Sequence, residues 1–148
     1  MSTTTHEDDL SAILTGAIEL ARSGKGSGGP PHETVDTLIR AYYRHVAVED
    51  IADRSDVDLY GAFASHFKLA GNRPQGTARV HVFTPTTAEH GWSADGHSVV
   101  EVVVDDMPFL VDSLTMALDR RNLGVHLVVH PILRVVRTAV GELQGMAI

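Results

Sequence analysis

Two adjacent carboxylates, Asp105 and Asp106, follow the valine-rich run SVVEVVV at residues 98–104 and precede Pro108. Neighbouring residues of a strand point to opposite faces, so the pair is poorly arranged for joint acid–base catalysis. A turn from a strand into a helix would instead present backbone amides to the carboxylate of a small ligand. The sequence therefore gives six candidate effector-binding residues: Asp105, Asp106, Met107, Pro108, Phe109 and Leu110.

A purely structural role explains the same acids, and we favour it. Asp105 or Asp106 can accept hydrogen bonds from the first amides of a helix, and Pro108 fits the first helical turn because its missing N–H costs nothing there. The exit of this helix is predicted at Asn122 and Gly124. Four apolar residues follow helical spacing and are expected to face the sheet: Leu110, Leu114, Ala117 and Leu118.

The histidines do not predict a metal site. His126 and His130 lie four residues apart, and on a strand that spacing spans about 13 Å, too far to share one ion. We expect both to line an exposed face together with Arg134. His66 is interpreted as a histidine satisfied in or beside the core, and Trp92 as the anchor of its loop. No serine or cysteine has a recognisable base beside it, which leaves nucleophilic catalysis without support.

The composition of the chain argues against several classes of function. The chain has 148 residues, 43% of them hydrophobic, a formal net charge of -7 and no cysteine. The negative charge argues against binding to nucleic acid or to an anionic membrane. Disulfides are excluded, and neither a secretory signal nor a run of membrane-spanning length is visible. These features are typical of a cytoplasmic protein.

The first half of the chain is predicted to be helical. We expect an N-terminal helix over 1–22, capped by Thr5 and closed by Gly24, then a flexible linker over 23–31 rich in glycine, serine and proline. A helical region should cover 32–74, with a cap pair at Ser55 and Asp58 and a stop at Gly71.

The second half changes to the two-residue period of strands. Residues 78–85 and 98–104 predict strands, the latter inside a sheet, and 124–137 predicts an edge strand because Pro131 cannot donate to a ladder. A helix between the last two would give a right-handed parallel crossover, with an antiparallel strand after Gly141 filling the gap. The predicted class is α+β: N-terminal helices followed by an incomplete ferredoxin-like (ACT-type) β-α-β-β unit over 77–148, truncated at its C-terminus.

The quoted motifs also resemble a known family. DMPFLVDSL resembles the D-x-P-G-L-L signature of ACT domains, although Phe109 stands where that signature carries glycine. Over residues 38–137, four segments in order are similar to the N-terminal region of the large bacterial NAD-specific glutamate dehydrogenases: YYRHVAVEDIADRSDVDLYGAFASHFKLA, the GW of the loop, HSVVEVVVDDMPFLVDSL and LGVHLVVHPILRVVR.

The resemblance implies a regulatory or assembly segment of a longer, homo-oligomeric enzyme of amino-acid metabolism that oxidises glutamate to 2-oxoglutarate and ammonia with NAD. No G-x-G-x-x-G follows a strand, so the segment itself is expected to be inactive, with no cofactor or metal of its own. Its expected partners are the rest of the parent enzyme and a second copy bound through the sheet edge. Two alternatives stay open, an ACT domain that binds an amino-acid effector and a free-standing dimeric interaction protein.

Overall fold

The computed structural model of the chain describes residues 2–24 and 32–147. Its elements in chain order are α1 (Ser2–Arg22), α2 (His32–Tyr42), α3 (Val48–Ile51), α4 (Asp56–Ala70), β1 (Arg79–Phe83), α5 (Thr87–His90), β2 (Val99–Val103), α6 (Leu110–Arg120), β3 (Arg134–Arg137) and β4 (Leu143–Ala147). Helices and small antiparallel sheets confirm the predicted α+β class. None of the helices in the described ranges has the length and hydropathy needed to cross a bilayer.

The core lies among α1, α2 and α4, which pack on one another. Apolar residues that recur in the sequence with the 3.6-residue period of a helix are largely buried, because burying one apolar face is what holds such helices together. Tyr43, which lies outside this spacing, is 1% exposed and belongs to the same core. The buried residues with helical spacing are Leu10, Leu14, Ala17, Ile18, Ala21, Val35, Leu38, Ile39, Val46, Leu59 and Phe63.

In the first half of the chain, the predicted helix ends are right at three positions and wrong at one. Ser55 caps α4 by accepting a hydrogen bond from the Asp58 amide at 3.1 Å, and α4 stops at Ala70, before Gly71. Gly24 follows α1 with a φ of 71°, the left-handed conformation that glycine tolerates. Thr5 does not cap α1, which begins upstream at Ser2, because no proline or glycine interrupts the helix there. Of the predicted linker, residues 25–31 lie outside the described ranges.

Two single-turn helices were not predicted as separate elements, because four residues are too few to show a period: α3 lies within the predicted helical region 32–74, and α5 lies in the loop after β1. The loop after α5 is held by Trp92, which is 6% exposed and meets the ring of Phe83 edge-on with 5.8 Å between centroids. Its side chain lies so close to Gly61 of α4 that a Cβ at Gly61 would fall 2.2 Å from it. Trp92 therefore anchors its loop, as predicted.

The first sheet pairs β1 with β2 in antiparallel register, with His81 opposite Glu101 and Val82 opposite Val100. The prediction that the second strand lies inside a sheet is wrong, because β2 has β1 as its one described partner strand. In this sheet a charged side chain is buried and valines are exposed, the reverse of the usual arrangement. Glu101 is buried and contacts His81 at 3.2 Å, whereas Val82 is 62% exposed on the opposite face.

Residues 123–133 contain no strand, so the strand predicted over 124–137 is wrong except at β3, and the parallel crossover does not form among the described residues. The apolar alternation of this segment corresponds to partial burial in its middle, where Leu127 and Val129 pack against the helical core, whereas Val125 and Val135 are exposed. A two-residue period reports that one face is buried, and it does not report whether a ladder forms. Two features oppose a ladder here, the missing amide hydrogen of Pro131 and the hydrogen bond from His66 that already engages the β2 carbonyl of Val102.

The second sheet is a hairpin of β3 and β4, so the antiparallel strand expected after Gly141 exists but pairs with β3 rather than filling a gap beside β2. Gly141, in the turn, has a φ of 95°. The hairpin is attached to the end of α4 because the Leu143 amide donates to the Gly71 carbonyl at 2.9 Å. This attachment brings Arg137 close to the residues that follow α4.

The helix α6 ends at Arg120, and Asn122 adopts a φ of 57°, in keeping with the predicted exit. Its expected packing against a sheet is not present, since none of its residues is buried and Leu114 is 38% exposed. The reason is topological: in the described residues β3 pairs with β4 and not beside β2, so the two parallel strands expected to flank the helix are not neighbours.

Candidate functional site

The aspartate–proline junction is held by an ion pair rather than by a helix cap. The carboxylate of Asp105 accepts a hydrogen bond from Nη2 of Arg73 at 2.6 Å. The residue before α6 is Phe109, which has a left-handed φ of 62° and makes no side-chain cap. The prediction that Asp105 or Asp106 caps this helix, with Pro108 in its first turn, is therefore wrong.

The reason lies in chain geometry. An N-cap side chain reaches the amides two or three residues ahead, but α6 begins at Leu110, beyond the reach of Asp105. Asp106, Met107 and Pro108 are exposed, and the ring of Phe109 is 75% exposed. The ring of Phe109 is thus not packed in the core.

Arg73 was not singled out by the sequence, yet it is one of the two charged or polar residues that are buried in the described ranges, at 7% exposed. Its Nη1 donates to the Thr77 carbonyl at 2.9 Å, while its Nη2 binds Asp105. Its backbone amide donates to the Gly141 carbonyl at 2.9 Å. One arginine therefore links the segment that follows α4, the residues just after β2 and the β3–β4 turn.

Arg137 is the second arginine of this region. Its Nη1 donates to two carbonyls, Ala70 at 2.6 Å and Gly141 at 3.0 Å. Burial lowers the pKa of Arg137, the charge of Arg73 lowers it further, and Asp105 partly offsets both. Among the described residues, no carboxylate lies within ion-pair distance of this guanidinium.

Both arginines retain unused hydrogen-bond donors. The Nε atoms of Arg73 and Arg137 are shielded and find no acceptor in the described ranges. Buried donors in proteins nearly always have a partner, so an orphaned one calls for an explanation. Two such atoms, on neighbouring cations, make this the least satisfied polar region that the structure describes.

A cleft of about 260 Å³ opens between α4, the start of α6 and the segment 129–137, and both arginines line it. Its wall combines polar groups, among them Asp105 and Asp106, with apolar side chains such as Phe63 and Phe67. Leu110 is also in the wall, so three of the six candidate effector residues meet here. Met107, Pro108 and Phe109 do not line it. Apolar walls with a few convergent polar groups are typical of small-molecule sites.

A hydrogen-bonded pair forms another part of the wall. Nε2 of His66 contacts the Val102 carbonyl at 3.0 Å, and because a carbonyl only accepts, Nε2 must carry the proton. In the neutral ring, Nδ1 then accepts from the Tyr42 hydroxyl at 2.9 Å. His66 is thus satisfied beside the core, as expected. Burial raises the pKa of Tyr42 well above its usual range, and Tyr43 and Glu101 add to the effect.

The other histidines do not assemble a metal centre, and no cluster of three metal-binding side chains occurs in the described ranges. His126 packs instead against His97, with 4.2 Å between ring centroids. His130 lies in the wall of the cleft. The two histidines that the sequence placed on one exposed face therefore meet different neighbours.

Of the two arginines, only Arg73 could have been suspected from a signal in the sequence. Arg73 stands between the end of a predicted helix and Pro74, a position with few backbone partners, and a charged residue there needs a specific role. Nothing in the spacing of Arg137 separates it from the exposed Arg134 three residues earlier. Their meeting depends on how the hairpin docks, which local patterns do not encode.

Comparisons with known proteins agree on one family. The profile described as "Glutamate dehydrogenase, ACT1 domain" matches residues 38–147. An NAD-specific glutamate dehydrogenase of Halomonas elongata is 39% identical over 113 residues, 76% of this chain and 7% of that protein. One from Pseudomonas aeruginosa is 34% identical over 110 residues, 74% of this chain and 7% of that protein. No solved structure gave a significant match.

Proposed function

We propose, from the premise that this chain belongs to the glutamate dehydrogenase ACT1 domain family, that it acts as a non-catalytic regulatory or assembly segment of an NAD-dependent glutamate dehydrogenase. The enzyme as a whole would oxidise L-glutamate to 2-oxoglutarate and ammonia, with NAD bound outside this segment. The proposal rests on the sequence match: this chain matches the ACT1 domain, and the matched region covers 7% of each glutamate dehydrogenase compared.

The exposed surface of the described residues supports a role in binding another protein or domain. Apolar side chains stand exposed on β1 and on α6, with Val80 at 60%, Val82 at 62% and Met116 at 55%. Exposed apolar patches usually mark a surface that another protein or domain covers. We propose the rest of the parent enzyme and a second copy of the chain as the partners.

A second candidate, binding of an amino-acid effector at the junction 105–110, is favoured by one observation. The helix α6 has no side-chain cap, so its first amides lack that acceptor, and a ligand carboxylate would supply it. Replacing Phe109 with glycine, the residue of the ACT signature, should strengthen such binding if the ring obstructs the turn.

Deleting residues 38–147 from the whole polypeptide tests the main proposal. We expect light scattering to give a smaller assembly, or activity assays to show a changed response to amino acids, with glutamate-dependent NADH formation still detectable. A deletion that leaves the assembly mass and the response unaltered would refute the regulatory or assembly role.

A further inference from the structure

One face of the β1–β2 sheet consists of valines. In the antiparallel register, Val80 lies opposite Val102 and Val82 lies opposite Val100. Residues directly opposite each other in such a pair project from the same face, so the four side chains form one apolar surface, here called the valine face. Val80, Val82 and Val100 are exposed. An apolar surface left open in this way usually marks a contact with another protein or domain.

The helix α6 has an apolar stripe without a matching surface. Leu110, Leu114, Ala117 and Leu118 follow helical spacing, yet no residue of α6 is buried. The helix has 11 residues, and isolated helices shorter than about 12–15 residues are marginal in water. Most helices gain their stability by packing an amphipathic face on another element. The described part of its own chain does not supply α6 with such a surface.

The path of the chain keeps α6 off the valine face of its own copy. Asp105, two residues after the end of β2, is tied at 2.6 Å to Arg73, which lies beyond the end of α4. The helix begins only at Leu110. Because Val80 and Val82 stay exposed while no residue of α6 is buried, the helix does not cover this face within one copy.

The two surfaces match in length and in polarity. An eleven-residue helix is about 17 Å long, and a five-residue strand also spans about 17 Å. The valine face carries no charge. The acids of α6, Asp112 and Asp119, lie about half a turn round the helix from Leu110, so they stay in water when the stripe docks. Packing the stripe on the valine face therefore buries apolar area without desolvating a carboxylate.

We infer that two copies of the chain exchange α6, so that the helix of each copy packs its apolar stripe on the valine face of the other. Each copy has one stripe and one valine face, and a single two-fold axis therefore satisfies both surfaces in both copies. Each copy brings one eleven-residue helix and two five-residue strands to the contact, close to the roughly 20–30 residues a side of a standard interface.

The exchange deepens the self-association of the proposed function, on which it rests for the choice of a second copy as the partner. It differs from pairing through the open sheet edges, which would join strand to strand and leave α6 without cover. A dimer formed through another surface would refute the exchange and leave the assembly role intact. Deletion of residues 38–147 from the whole polypeptide tests the assembly role separately.

Cross-linking between single-cysteine variants tests the exchange, since the chain itself has no cysteine. Leu114→Cys and Val82→Cys are purified separately, one of them isotopically labelled, and are then mixed and treated with a short bismaleimide. We expect a mixed cross-linked dimer, recognised by its mass. When Val57→Cys, at an exposed valine of α4, replaces Val82→Cys, we expect only background product.

Charge substitutions on α6 give a second measurement. Leu114→Lys, on the stripe, should raise the dissociation constant of the dimer about tenfold or more, because it places a charge against valines. Met116→Lys, on the same helix but away from the stripe, is the control and should change that constant less than about threefold. Met116 is the more exposed of the two residues, so non-specific apolar association would give the opposite order. Sedimentation velocity over a range of concentrations measures both constants.

Three results would overturn the exchange. The first is a mixed cross-link between Leu114→Cys and Val82→Cys that does not exceed the Val57→Cys control. The second is a link within one monomer when Leu114→Cys and Val82→Cys are combined in a single dilute chain, which would place α6 on its own sheet. The third is equal dissociation constants for Leu114→Lys and Met116→Lys.

Discussion

Arg73 joins three parts of the chain that are distant in sequence. The two members of its ion pair with Asp105 differ greatly in solvent exposure. The arginine side chain is 9% exposed, whereas that of Asp105 is 58% exposed. A buried cation depends on its hydrogen bonds, while an exposed carboxylate is largely screened by water. The two ends of the same ion pair should therefore respond differently to substitution.

Replacing Arg73 with methionine should lower the free energy of unfolding by about 1–3 kcal/mol, because two hydrogen bonds of a buried group are lost. Asp105→Asn, which keeps an acceptor oxygen, should cost less than about 1 kcal/mol. Urea unfolding of the two variants measures the difference. Equal losses would contradict the assignment of Arg73 as the buried partner.

Gly141 should be the least replaceable glycine of the hairpin. Its φ is 95°, and a Cβ would lie 2.4 Å from the carbonyl carbon of Arg73. Gly141→Ala should cost about 1–3 kcal/mol of unfolding free energy through backbone strain, and more if the hairpin undocks. Gly124→Ala, where a Cβ meets nothing within 4 Å, is the matched control and should change thermal stability little.

The buried Tyr43 and the partly buried Tyr42 predict how the stability of the chain changes at alkaline pH. Burial raises the pKa values of Tyr42 and Tyr43 above their usual range. Their stabilisation is complete below the unfolded pKa of about 10, and it is lost as pH rises further because only the unfolded chain can ionise them readily. Stability measured by urea unfolding should fall above about pH 10, and Tyr43→Phe should make that fall shallower. An unchanged slope in the variant would contradict this.

At the scale of secondary-structure elements, sequence patterns predicted the features that depend on residues close together in the chain. The stripe of α1 and the Ser55 cap of α4 follow from helical spacing and from hydrogen bonds within one turn. The pairing of β2 and the docking of the β3–β4 hairpin do not, because they depend on contacts between residues far apart in sequence. The same limit explains the site: Asp105 was visible from the sequence, but its partner Arg73 was not.

The α4 cap offers an element-scale test. Ser55→Ala removes the acceptor of the Asp58 amide and should cost about 0.5–2 kcal/mol. Ser55→Asp keeps an acceptor and adds a favourable charge at the helix start, so it should restore most of the stability. Thermal unfolding followed by circular dichroism measures both, and a serine-to-alanine change without effect would contradict the cap.

For the whole molecule, the exposed valine face of β1 should control self-association. We expect light scattering to give a dimer or larger, because Val82 is 62% exposed beside other valines on a sheet with open edges. Val82→Lys should shift the chain toward monomer. Val57→Lys, at another exposed valine on α4, is the control, and a chain that is strictly monomeric before any substitution would contradict the proposal.

The most direct test of the non-catalytic role is the rate of glutamate-dependent NADH formation, measured side by side for the 148-residue chain and for the whole polypeptide. We expect turnover by the whole polypeptide and none by the chain. Turnover by the chain alone, or its absence from a folded whole polypeptide supplied with glutamate and NAD, would contradict the proposed function.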